Sequence, residues 1–271
     1  LTRRLGRTKP IVAVNSAAGA LVAGLEQTSV EVPAVSARAL FEASGVIRVG
    51  TVSGMFDVAL LLGSQPLPAG DRVAVVGNST ALGVLVTNAC RASGLRIARL
   101  DDVGVDARAG EFESALRSAV EDPDVDAIVV VFVPPLQRAA SHDVAAALRT
   151  VAAGSPKPVL STFLGFDGVP AELAVPGDFS PMRGSVPSYP SPERAVRALA
   201  RAARYAAWRR EPQQPLPQLD RLEPDAARAL VEAVLAGEPS GRELNADETG
   251  RLLGAVGIVL SFEAPVDTVE V

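Results

Sequence analysis

Val125-Asp-Ala-Ile-Val-Val-Val-Phe-Val133 is the stretch on which the fold turns: nine residues that hold seven aliphatics and Phe132. A run apolar at consecutive positions has no polar face to leave in water. It predicts a strand covered on both sides of a parallel sheet, and its place is central. Upstream, Arg72-Val-Ala-Val-Val76 predicts a second buried strand, with Gly77-Asn-Ser-Thr80 as a turn and a helix over 81–93 that stops at Gly94. Leu95–Leu100 reads as a strand and 111–121 as a helix. Downstream, His142–Ala153 is helical, Pro158–Leu164 a strand and Ser185–Tyr189 a short last strand. A long helix opens at Ser191 with Pro192 in its first turn and an apolar stripe at Val196, Leu199, Ala200 and Ala203. Aliphatic runs alternating with helices specify α/β architecture. The expectation is a flavodoxin-like, doubly wound parallel sheet of five strands in order 2-1-3-4-5 over 71–209, with partial flanking domains.

The flanks are less regular. Pro10-Ile-Val-Ala-Val14 reads as a strand whose partners would lie upstream of the chain, an orphan expected to self-associate or to be poorly ordered. Residues 15–32 read as a loop. A helix runs from Pro33 to Gly45, Val46–Val49 is a strand, and 52–63 carries a helical stripe. Gln65-Pro-Leu-Pro-Ala-Gly70 marks a boundary. Residues 211–220, with three prolines and three glutamines, read as a linker. Helices over 223–236 and 246–255 and a strand at Gly257–Phe262 follow. The organisation expected is 1–63, 71–209 and 211–271.

Composition excludes several function classes. With 48% hydrophobic and 21% charged residues, the chain can bury a large core. A net charge of −5 and a pI of about 5.1 argue against a duplex nucleic-acid partner. One cysteine, Cys90, excludes an intramolecular disulfide and a cysteine metal cluster, and one histidine, His142, excludes a His/His metal site. No metal site is expected. No apolar run reaches the ~18 residues of a membrane span. The expectation is a cytoplasmic globular protein without a membrane partner, and the start at Leu1 reads as a piece of a longer chain.

The turn Gly77-Asn78-Ser79-Thr80-Ala81-Leu82-Gly83 stands where open parallel sheets hold ligands, at the carboxyl end of the first strand. It either binds an anion through free amides at a helix start or is a plain strand–helix turn capped by Asn or Ser. It lacks the G-x-G-x-x-G and Walker patterns of nucleotide sites. His142 reads as a helix-end residue, with Ser141 or Asp143 the better cap. Asp101-Asp102 reads either as a metal or ribose ligand or as a solvated strand end. Cys90 reads as core, and Tyr205 and Trp208 as packing residues. Arg197, Arg201, Arg204, Arg209 and Arg210 read as a solvated helix face or a subunit contact.

An ordered set of segments carries a family resemblance. It comprises Phe41-Glu-Ala-Ser-Gly45-Val-Ile-Arg-Val49, Phe56-Asp57-Val58-Ala59 and Val73-Ala-Val-Val-Gly-Asn78. Val131-Phe-Val-Pro-Pro135, Lys157-Pro-Val-Leu-Ser-Thr-Phe-Leu-Gly165 and Val186-Pro-Ser-Tyr-Pro190 follow. With these the chain resembles the NDP-forming acyl-CoA synthetases, relatives of succinyl-CoA synthetase. The resemblance implies the end of a first flavodoxin-like domain, the whole of a second, and, at Asp247–Ile258, the entry to an ATP-grasp domain. CoA-binding and ATP-grasp domains of the same polypeptide or complex would be the partners, with a homo-oligomer also open. ATP, Mg and CoA are implied for the whole family protein, and none for this fragment alone.

The family relays phosphate through a histidine in a Ser-His-Thr-Gly-Ala-Leu-like loop. The resemblance places that position on Glu26, followed by Gln27 and Thr28, and no histidine precedes residue 142. The family's Asn-Ala-Gly-Gly-Pro-Gly signature reads here as Asn78-Ser79-Thr80-Ala81-Leu82-Gly83, with Asn78, Ser79, Thr80 and Gly83 the implied phosphate ligands and two glycines replaced. Both departures fall on the same chemical step. They imply a regulatory or scaffold region without the relay, similar to the ligase-like regions fused to GNAT domains in bacterial lysine acetyltransferases. The alternatives are a working ADP-forming acetate or acyl-CoA ligase with Glu26 as a different carrier, and a non-catalytic flavodoxin-like interaction domain.

Overall fold

Every residue from Ala127 to Phe132 is buried, and its side chains divide by parity between two cores. The computed structural model describes residues 2–15, 21–23, 30–32, 34–134, 138–163, 166–177, 182–212 and 222–258. In chain order its elements begin with α1 (Thr2–Gly6), β1 (Ile11–Val14), β2 (Leu21–Ala23), β3 (Val30–Val32), α2 (Ala34–Ser44), β4 (Val46–Val49) and α3 (Val52–Ser64). They continue with β5 (Arg72–Gly77), α4 (Thr80–Ala92), β6 (Arg96–Asp102), α5 (Ala109–Glu121), β7 (Ala127–Phe132), α6 (Arg138–Ala153), β8 (Val159–Phe163) and α7 (Pro192–Arg210). Then come α8 (Pro224–Gly237) and α9 (Ala246–Ala255). The chain divides into two compact units, Leu1–Glu211 and Pro212–Val271. The strand read at Gly257–Phe262 falls largely outside the described residues.

The main sheet is parallel, in spatial order β6-β5-β7-β8. Val73, Val75, Val129 and Val131 face α4 and α7, where they meet Val86, Cys90 and Leu199. Ala74, Val76, Ile128, Val130 and Phe132 face α5 and α6, where they meet Phe112, Leu116 and Leu148. Each large aliphatic buried in this way stabilises the fold by about 1.5–3 kcal/mol.

The order is 2-1-3-4 of the flavodoxin-like series, and the expected fifth strand is reduced to one parallel bridge between Ser161 and Ser188. The cause is chemical. Ser161 N–H donates to Pro187 O and Tyr189 N–H to Ser161 O, but Pro187 and Pro190 have no N–H to extend a ladder. Side chains take over the remaining edge of β8. Gln65 Oε1 accepts from Val159 N–H at 2.8 Å, and Ser188 Oγ accepts from Phe163 N–H at 3.1 Å.

Two expectations for the first residues are corrected. β1 is no orphan: it pairs in parallel with β4, Ile11 opposite Val46 and Val14 opposite Val49. The chain returns through α2 to supply a partner from within itself. The stretch 15–32 is no plain loop either, since Leu21–Ala23 and Val30–Val32 pair antiparallel. Each is only three residues long, Leu-Val-Ala and Val-Glu-Val, and is hidden from pattern reading by the small and polar residues around it.

This segment is fastened to the main domain. Arg194 donates twice to the Asp57 carboxylate, at 3.0 and 2.6 Å, and Tyr189 Oη donates to Asp57 O at 2.9 Å. Tyr205 Oη donates to Gly6 O, and the Trp208 ring lies on Gly45 with the Arg7 guanidinium 4.8 Å from its centroid. Gly45 adopts φ +70°, and a Cβ there would meet the indole at 2.3 Å. We expect Gly45→Ala to cost about 2–4 kcal/mol in urea unfolding, from overpacking added to left-handed strain. Gly94→Ala, at φ +78° with open space around it, costs about 1–2 kcal/mol.

Asp126, the polar residue inside the 125–133 run, is 7% exposed and accepts from the Arg72 amide, Nε and Nη2. The Arg72 guanidinium holds its carboxyl below the ordinary value. A depressed folded-state pKa gives stability that is full above about pH 4 and is lost as pH falls through the folded value. Asp126→Asn should therefore destabilise the protein by about 1.5–3 kcal/mol at neutral pH. The gap to the parent should close on acidification, as read by urea unfolding across a pH series.

Candidate functional site

The turn after β5 is built by close packing between strands. Gly77 lies against β7, where a Cβ would stand 2.9 Å from Val131 O, so only glycine fits. Asn78 follows, 3% exposed. Its Nδ2 donates to Val133 O at 2.9 Å and its Oδ1 accepts from Val133 N–H at 2.8 Å. Both ends of this amide are spent in clamping the carboxyl ends of β5 and β7 together. Ser79 is the N-cap of α4, accepting from Leu82 N–H, and its carbonyl accepts from Gly83 N–H. Gly83 is buried under β6, with room for a Cβ only 3.3 Å from Leu100 Cδ1.

Thr80 does not point to open space. Its hydroxyl donates to Asp102 Oδ2, and Gly104 N–H donates to Asp102 Oδ1 at 3.0 Å. The Thr80 hydrogen bond first, and the Gly104 amide second, hold the Asp102 carboxyl below its usual value. The structure thus brings Asn78, Ser79, Thr80 and Gly83 together at the start of α4 and sets a carboxylate beside them. The positive end of the helix is answered by the protein's own anion. Sequence reading noted Asp101-Asp102 but did not join it to this turn. The available signal was its position at the end of the adjacent strand, where acidic residues face the first turn of such sheets. Asp101 turns the other way, to Arg99 at 2.8 Å.

The remaining candidates lie elsewhere or serve packing. Glu26 lies outside the described residues. His142 is exposed on α6, its Nδ1 3.9 Å from Glu172 Oε1. Both border a cavity of about 430 Å³ backed by Phe163, Phe166 and Leu173. Cys90 is fully buried, and burial pushes its thiol up to about 11, so it has no thiolate at neutral pH. Tyr205 and Trp208 stack on each other at 6.1 Å. Among the described residues there is no group of three acidic, histidine or cysteine side chains able to hold a metal. No helix there is long and apolar enough to cross a membrane.

No protein-family model matches the chain. Curated relatives do. The alpha subunit of an ADP-forming acetate–CoA ligase I from Pyrococcus furiosus is 26% identical over 233 residues, covering 77% of this chain and 49% of its own. An ADP-forming acetate–CoA ligase I from Archaeoglobus fulgidus is 27% identical over 284 aligned positions, covering 95% of this chain and 38% of its own. The chain's homologues are ADP-forming acyl-CoA ligases. A third, a 4-hydroxybutyrate–CoA ligase from Nitrosopumilus maritimus, is 25% identical over 63% of this chain and 26% of its own. The chain therefore spans about half or less of the curated relatives it matches.

Solved structures share the fold. The apo form of a dinucleotide-forming acetyl-coenzyme A synthetase from Ca. Korarchaeum cryptofilum superposes with a TM-score of 0.61 at 22% identity, over 77% of this chain and 49% of that one. A Pyrococcus horikoshii protein superposes with a TM-score of 0.61 at 20% identity, over 78% and 49%.

Asn78→Ala tests the clamp. It leaves Val133 N–H and C=O without their partner and should cost about 2–3 kcal/mol in urea unfolding, with faster hydrogen exchange at the Val133 amide. Asn78→Asp keeps the acceptor and should lose less.

Proposed function

We propose that this chain is the flavodoxin-like part of an ADP-forming acyl-CoA synthetase-like protein in which the phosphohistidine relay does not run. The segment then serves as a regulatory or scaffold region that packs against CoA-binding and ATP-grasp domains. One observation carries the reading: the sole imidazole, His142, borders the Phe163–Glu172 cavity, and residues 1–141 contain no other. The relay needs a neutral imidazole as phosphate carrier.

The turn at 78–83 supports the same reading. A phosphate there would need donors, but the Asn78 amide is engaged with Val133 and the Thr80 hydroxyl with Asp102. An incoming dianion would also meet the Asp102 carboxylate, and like charges at short range repel. The residues present fit a phosphoryl group poorly.

The test is incubation of the intact polypeptide with γ-labelled ATP and Mg²⁺, followed by acid and base treatment of any label. The expected result is no acid-labile, base-stable phosphate on any peptide from residues 1–141. Such a phosphopeptide would overturn the reading. Label on Glu26 that acetate plus CoA discharge would replace it with a working ligase that uses a carboxylate carrier.

A further inference from the structure

A groove of about 620 Å³ lies between α2, β4 and α7, away from the turn at 78–83. That volume is in the range of small-molecule sites. Four arginines line it, Arg38, Arg48, Arg201 and Arg204, against two glutamates, Glu42 and Glu211. Its apolar wall is Phe41, Val46 and Trp208. The sequence reading took Arg201 and Arg204 for a solvated helix face or a subunit contact; Arg204 is exposed, whereas Arg201 is half-buried at this groove.

The positive charge is poorly answered. Among the described residues Arg48 and Arg201 have no hydrogen-bond or ion-pair partner. Arg204 reaches only Ser93 O, at 3.4 Å, and Arg38 stands 3.9 Å from Glu42. Arg201 is half-buried, and its Nη1 sits 3.8 Å from where a Gly54 Cβ would stand, at the start of α3. Burial first, and then the charges of Arg204 and Arg197, make its charged form harder to keep. The Asp57 charge offsets part of this, but a half-buried guanidinium with no hydrogen-bonded anion is costly unless something supplies one.

We propose that this groove binds a small organic phosphate, with its dianionic head on Arg201 and Arg48 and its apolar body on Phe41 and Trp208. Two unpaired planar guanidiniums in one groove match a tetrahedral dianion better than a single carboxylate. The apolar wall explains why the ligand is an ester and not the free ion. The proposal is independent of the relay reading and stands or falls on other residues.

Trp208 is the sole tryptophan, so its fluorescence reports on this groove directly. Phenyl phosphate, inorganic phosphate and phenol are titrated into the intact chain, followed by calorimetry and by Trp208 emission. Phenyl phosphate should bind and change the emission, inorganic phosphate should bind about tenfold more weakly, and phenol should not bind. Arg201→Gln should weaken phenyl phosphate by about tenfold or more, with Arg117→Gln on α5 unchanged. Should Arg201→Gln fail to fold, Arg48→Gln reads the same head group from β4. Equal binding of phenol and phenyl phosphate, absence of any binding, or indifference to both arginine changes would overturn the proposal.

Discussion

The ion pair between Asp57 on α3 and Arg194 on α7 is the contact on which the first unit depends. Asp57 is 7% exposed, and its carboxylate takes two guanidinium hydrogens, while its carbonyl takes the Tyr189 hydroxyl. Asp57 raises the Arg194 pKa, and Asp167 adds a further contact at 3.6 Å. Loss of Arg194 would leave the buried Asp57 carboxylate without its hydrogen-bonded partner, which costs about 3–5 kcal/mol. Through this pair the short β1–β4 sheet, with too little apolar face to stand by itself, shares a core with the four-stranded sheet. The groove lined by Arg201 and Trp208 exists only because the two are held together.

The same geometry separates two kinds of positive charge. At the start of α4 the helix end is met by Asp102 through Thr80. Along α7, Arg201 has no hydrogen-bonded carboxylate among the described residues, and only the more distant Asp57 charge favours its charged form. The helix terminus is thus neutralised from within, while Arg201 in the groove is left without a hydrogen-bonded anion.

Much of the fold was legible because β7, and β5 from Val73 onward, are buried on both faces and therefore apolar at every position. The caps were legible too: Ser191 and Pro192 open α7, and Gly94 closes α4. The fifth strand was misjudged because Val186, Ser188 and Tyr189 carry strand character in their side chains, whereas a ladder is made by backbone donors that Pro187 and Pro190 lack. β2 and β3 were missed because three residues are too few to show a period. The candidate site was legible as a place but not as a set of bonds. Asn78 and Thr80 look like ligands by residue type, and only the neighbouring Val133 and Asp102, distant in sequence, decide what their polar atoms do. The role of Gln65 had no signal at all, since a glutamine beside a proline-rich boundary reads as solvent-facing.

That glutamine has a wider consequence. Gln65, Ser188 and the two prolines close one margin of the four-stranded sheet. At the other margin β6 alternates exposed and half-buried residues and carries Arg96, Arg99, Asp101 and Asp102. Charge along one border and missing donors along the other give the sheet no template on which a foreign strand can crystallise. The four-stranded sheet is thus a finished object, protected from polymerising by the groups that complete it.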